Sequence, residues 1–138
     1  MRRLIAALAA TVIMVGFALF RWAAPDGGGS PCPENPLEGV WGPARLVVLG
    51  ECVKAAGMAH NIHRATDGDI TFDLAVDEGY EKLLGEGATL HVEIVPVHQG
   101  FVPIPKEGEH VCVTGTWVID KGHGEKTEIH PATAIEDC

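Results

Sequence analysis

The stretch DITFDLAV, residues 69–76, alternates without a break. Ile70, Phe72, Leu74 and Val76 fall on one side, and Thr71 and Asp73 on the other. That two-residue period belongs to a half-buried strand. A helix would scatter the four apolar side chains around its axis, so the spacing excludes one. TLHVEIVPV, residues 89–97, repeats the pattern with Leu90, Val92 and Ile94 inward. Pro96 marks the exit of this strand or an edge.

Three more stretches complete the set. LVVL at residues 46–49 opens a strand that continues through Cys52 and Val53. HVCVTGTWVID, residues 110–120, is a fourth, and TEIHPATAI, residues 127–135, a fifth. GYEKLL, residues 79–84, is too short to make a helix that stands alone. Five strands with short turns and no long helix predict an all-β fold, a small five-stranded OB-like barrel. Gly115, in the middle of the fourth strand, marks the bend where such a barrel turns a corner. The helix usual between strands three and four is replaced by the proline-rich FVPIPKEGE, residues 101–109.

Residues 1–22 read as a membrane segment. Arg2 and Arg3 precede an apolar run over residues 4–20. As a helix it would cover about 25 Å, enough for a slightly thinned bilayer. Phe20, Arg21 and Trp22 stand where a small-residue cleavage site would be, which favours an uncleaved anchor; a cleaved signal peptide is the alternative. The positive-inside tendency then puts the N-terminus in the cytoplasm and the rest outside the cytoplasmic membrane, or secreted if the segment is removed. Residues 23–36, rich in glycine and proline, read as a flexible linker, with the folded domain at 37–138.

Charge is distributed unevenly. The first 21 residues hold Arg2, Arg3 and Arg21 and no acid, which leaves seven basic residues against nineteen acids in the remainder. A net of −12 repels phosphate backbones and disfavours nucleic acid as a partner. Single-strand binding also needs stacking aromatics, and the domain has few, chiefly Trp41, Phe72, Tyr80, Phe101 and Trp117.

Outside the membrane, Cys32, Cys52, Cys112 and Cys138 predict two disulfides. None lies in a C-x-x-C pair, which argues against a zinc knuckle or redox motif. If Asp120 faces Thr127, Cys138 lies a few residues past the partner of Cys112, and a bulge near Pro131 brings them together. Cys112–Cys138 and Cys32–Cys52 are therefore expected. Cys52–Cys112 with Cys32–Cys138 is the rival pairing, because strands one and four are neighbours in an OB barrel.

The hairpin DKGHGEKTEIHP, residues 120–131, concentrates polar chemistry. Asp120, Glu128 and His130 share the face opposite Ile129, with His123 at the tip, and form a candidate metal site. Imidazole with carboxylate suits zinc and other first-row divalent ions. His60, His63, Asp67 and Asp69 make a second polar group, placed in the loop between strands one and two and read as candidate ligand-binding residues. Those two loops flank the usual binding face of an OB barrel, so the groups can converge. An ordinary polar turn, with Glu128 paired to Lys121 or Lys126 on the surface for under about 1 kcal/mol, is the competing reading.

Residues 43–135 also resemble a family of exported bacterial and archaeal OB-fold-like proteins of unassigned function. The phrases that carry the resemblance are ARLVVLGECV, DGDITFDL, LHVEIVP, GEHVCVTGTWVID and HGEKTEIHP. The family reads D-G-D-x-H in the second and H-G-W-x-E-I-H-P in the last. This chain has Thr71 in place of that first histidine, lacks the tryptophan after Gly124, and carries one extra residue before Glu128. The resemblance implies the fold and export, and no activity.

Together these features predict an extracytoplasmic, membrane-tethered OB-like binding module that presents a metal or small-ligand site on its loop face. A metal-dependent hydrolase is the alternative, with Asp120, Glu128 and His130 as ligands or acid/base groups and His63 assisting. Against catalysis, there is no G-x-S-x-G and the cysteines read as structural.

Overall fold

A computed structural model describes residues 31–138. Residues 1–22, expected to anchor or export the chain, lie outside the described residues. Among the described residues, no helix is long and apolar enough to cross a membrane.

The described chain is all-β, as expected. Its strands are β1 (Leu46–Arg64), β2 (Ile70–Val76), β3 (Leu90–Ile94), β4 (His110–Asp120) and β5 (Lys126–Asp137). They close in a ring in the order β1-β2-β3-β5-β4, and β4 returns to β1. All pairings are antiparallel except β3 with β5, which run parallel and align His91 with Glu128 and Val92 with Ile129.

β1 runs far beyond Val53 because it serves two neighbours. Its first part pairs with β4 and its last part with β2. Gly57 is the point of exchange, opposite both Val111 and Val76. A Cβ there would come within 2.2 Å of the Ala75 carbonyl oxygen. The extension corrects one expectation: His60 and His63 lie on β1, opposite Asp73 and Thr71, and not in a loop.

The alternating faces are as read. Phe72, Leu74, Leu90, Val92 and Ile94 fill the interior, joined by Val113 and Ile129. Gly115 sits between two register shifts in the β4–β5 ladder, and a Cβ there would lie 2.4 Å from the Pro131 carbonyl oxygen. Only glycine lets the two backbones approach so closely at this bend.

The outer face is also covered. Val40, Leu46, Val95 and Val118 form a second apolar cluster there. Residues 31–36, read as the end of a linker, lie against the sheet: Thr133 donates to the Pro31 carbonyl and Thr116 to the Pro36 carbonyl. Thr114 and Thr116, on this covered face of β4, are buried. The β3–β4 connection holds a 3-10 turn, Pro96–His98, and no α-helix. It folds back on the sheet. The His98 ring donates to the Ala132 carbonyl at 3.0 Å, and the Gln99 amide donates to the Gly68 and Ile94 carbonyls.

Cys32–Cys52 and Cys112–Cys138 are bridged, the pairing expected from the hairpin. The register differs by one: Asp120 faces Lys126, and after the two shifts Cys112 faces Glu136.

Gly57→Ala forces a methyl group onto the backbone of β2. Overpacking of this kind costs about 1–3 kcal/mol. Urea unfolding should show the midpoint fall with the slope unchanged. Gly100→Ala, with nothing within 4 Å of the added carbon, should leave the midpoint in place.

Candidate functional site

The polar face of the ring opposes the core side chains. Strict alternation turns Thr71 and Asp73 outward from β2, His91 and Glu93 from β3, and Glu128 and His130 from β5. Register then sets neighbours. Asp73 aligns with His91, His91 with Glu128, and Thr71 with Glu93. A row of donors therefore crosses three strands without a break.

His130 stands at the centre and is fully buried. Its Nδ1 lies 3.1 Å from Glu93 Oε2 and 3.6 Å from Glu128 Oε2, and its Nε2 lies 3.5 Å from Asp69 Oδ2. None of these approaches is a hydrogen bond by length and angle together, so both ring nitrogens and Glu128 Oε2 lack a hydrogen-bond partner. Buried polar atoms are nearly always paired, so three orphans in one cluster need an explanation. Asp69 reaches the cluster from the turn before β2. That turn is held by Asp67, whose carboxylate accepts from the Asp69 amide, and by Arg64 and Gln99, which both donate to the Gly68 carbonyl.

His91 is placed by its neighbours. Its Nδ1 lies 3.2 Å from Asp73 Oδ1 in a hydrogen bond, and its Nε2 lies 3.3 Å from Glu93 Oε1. Asn61 donates to the other Asp73 oxygen at 2.9 Å. Donor atoms of Asp69, Glu93 and His130 lie within 4.8 Å of one another, and so do those of His91, Glu93 and Glu128.

The hairpin residues divide between two roles. Glu128 and His130 join the buried cluster. Asp120, also fully buried, instead accepts from Arg45 Nε at 3.0 Å, His123 Nδ1 at 2.7 Å and the Gly122 amide at 2.6 Å. Asp120, His123 and Glu128 do bring donor atoms within 4.8 Å, but the Asp120 oxygens are already occupied in closing the turn. The second group divides as well. Asp69 converges with His130. His60 lies beside Glu107 on the surface, and His63 donates from Nδ1 to the Asn61 carbonyl, so its Nε2 accepts from Thr71. Glu93, His91 and Asp73 are the residues that sequence reasoning missed. The alternation already turned them outward; what was not visible is that β3 lies beside β5.

Electrostatics follow the geometry. Burial opposes charge on His130, but Asp69, Glu128 and Glu93 outweigh it and raise the imidazole from 6.5 to about 9. His91 is raised too: burial again opposes, and Glu93 and Asp73 prevail. Burial would raise the Asp120 carboxyl, yet the hydrogen bonds from His123 and Arg45 hold it below the usual carboxylate value.

Beside the cluster opens a pocket of about 720 Å³. His91 and Asp73 line it, with Lys121, Glu125, Lys126 and Thr127 from the hairpin and residues 84–89. No family model matches the chain, and no curated protein matches it.

In chelator the raised His130 value makes stability depend on pH. A group whose folded pKa exceeds its unfolded one contributes fully below the unfolded value, here 6.5, and loses that contribution as pH rises through the folded value of about 9. The metal-free unfolding free energy should fall by on the order of 3 kcal/mol between pH 6 and pH 9.5. His130→Gln should flatten that decline in a series of urea melts.

Proposed function

We propose that this domain is an extracytoplasmic OB-like module that binds a first-row divalent cation between Asp69, Glu93 and His130. The carrying observation is the buried His130 ring, ringed by carboxylates yet without a directed hydrogen bond. Distances support the same reading. Charge-assisted N–H···O bonds run about 2.7–2.9 Å, shorter than the 3.1, 3.5 and 3.6 Å found here. One donor atom from each of Asp69, Glu93 and His130 lies within 4.8 Å of the other two, close enough for a single ion to draw them together through one of the imidazole nitrogens. A mixed carboxylate–imidazole set suits Zn²⁺ or Mn²⁺.

The ring order, with β3 and β5 parallel at the closure, supports the OB-like description. Two disulfides support an oxidising compartment outside the cytoplasm. Tethering by residues 4–20 completes the reading. We favour binding over hydrolysis because Asp69, Glu93 and His130, the residues of this cation position, are all buried.

Two measurements test this. Protein stripped with chelator should gain about 2.7 kcal/mol when Zn²⁺ or Mn²⁺ is raised to 100 times its dissociation constant. His130→Ala and Asp69→Asn should abolish that gain, whatever they do to the metal-free melt. Identical melting of the native protein in metal and in chelator overturns the cation site and leaves an imidazolium neutralised by carboxylates. For topology, protease added to intact spheroplasts should digest the domain; complete protection would place it inside.

A further inference from the structure

The outer-face row continues past the inner donors, and its second half is arranged differently. Glu93 has its two oxygens turned to two histidines: Oε2 lies 3.1 Å from His130 Nδ1, and Oε1 lies 3.3 Å from His91 Nε2. A carboxylate that divides its oxygens in this way can bridge two ions. His91 carries the orienting contact expected of a metal-binding histidine. With its Nδ1–H given to Asp73, the ring would turn an Nε2 lone pair toward an ion held beside Glu93 once the Nε2 proton is displaced. Asn61 holds the Asp73 carboxylate from the far side. Glu128, paired in register with His91 and almost wholly buried, has Oε2 without any hydrogen-bond partner.

We propose a second cation position, made by His91, Glu93 and Glu128, bridged to the first through the Glu93 carboxylate and open to the adjacent pocket. This rests on the cation site proposed above and deepens it. The inner position is closed by protein. The second reaches the 720 Å³ pocket through His91, which lines it, with Glu93 and Glu128 buried behind. Three protein donors leave a coordination position free on that side. Lys121 and Lys126 line the pocket together with Asp73, Glu86 and Glu125, and Thr127 Oγ1, on another lining residue, lacks a hydrogen-bond partner. An ion at this position would add the positive charge that suits an oxyanion: a carboxylate or phosphate group of a small molecule. The ligand bond to the open position forms without redox change, as one water leaves and one anionic oxygen enters.

Cobalt(II) titration of the full chelator-stripped domain reads this directly. Native protein should bind two equivalents, with visible absorption bands appearing in two phases. His91→Gln, on a partly exposed residue, should bind one equivalent and keep the thermal gain of the inner site. Inorganic phosphate should shift the second-phase bands of the native protein and leave those of His91→Gln unchanged. A carboxylate probe, acetate, distinguishes the source of the oxyanion by which of the two shifts the bands at lower concentration. One equivalent in the native protein, unaltered by His91→Gln, overturns the second position and leaves the first standing. No bound cobalt in either protein overturns both. Two equivalents with no spectral response to phosphate or acetate overturn the oxyanion assignment.

Discussion

The parallel contact between β3 and β5 is the constraint on which the polar face depends. It is short, with His91 beside Glu128 and Val92 beside Ile129. Because the two strands alternate in phase, Val92 and Ile129 enter the core while His91 and Glu128 turn out. Glu93 and His130 follow one step on. A slip of a single residue would send Glu128 into the apolar interior and lift Ile129 to the outer face. The core therefore fixes the register, and the register fixes the donor row. Asp69 comes from the other side, carried to the row by the start of β2, where Ile70 aligns with Ile94.

Burying so many ionisable groups is costly, and the chain solves that problem in two ways within one hairpin. Removing a charge from water costs several kcal/mol unless its partners are well placed. Asp120 is fully buried and fully served: a guanidinium, an imidazole and a backbone amide all donate to it, and its carboxyl is held acidic. Its role is to close the turn. His130, ten residues along, is equally buried and has carboxylates on both sides, but no contact is aligned. The contrast separates a cap that is complete from a cluster that is not. It also explains why the hairpin residues, read as one group, divide between a closed turn and the buried cluster.

Much of this was legible before any coordinates. The alternation at Ile70, Phe72 and Leu74, and again at Leu90, Val92 and Ile94, identified the inward faces, since period two has one reading. Glu128 and His130 were placed on the correct side of β5 by Ile129 alone. The pairing of Cys112 with Cys138 followed from the hairpin register and a bulge near Pro131, even though that register was one residue off. What was hidden depended on long-range closure. Nothing local in LHVEIV says that β5 will lie beside it, so nothing singled out His91 and Glu93. Burial was hidden for a similar reason. The coverings of the outer face, residues 31–40 and the stretch after β3, have no periodicity to announce where they pack. His60 and His63 were misplaced because β1 changes partners at Gly57, and a strand shared by two neighbours outruns its apolar pattern.

The acidity of the domain bears on the order of events at the proposed site. A net of −12 over residues 22–138 draws divalent cations inward and repels small anions. The pocket wall holds Lys121 and Lys126, but Asp73, Glu86 and Glu125 line it too, so side chains alone give an oxyanion little attraction. A cation between His91, Glu93 and Glu128 would reverse the local sign. On this reading the anion binds only after the metal, and the two affinities are linked: whatever factor the ion adds to oxyanion binding, the oxyanion adds to ion binding. The donor row is then more than a store of buried charge. With a cation bound, it would set the sign of the field in the pocket, and through that, which small molecules the pocket accepts.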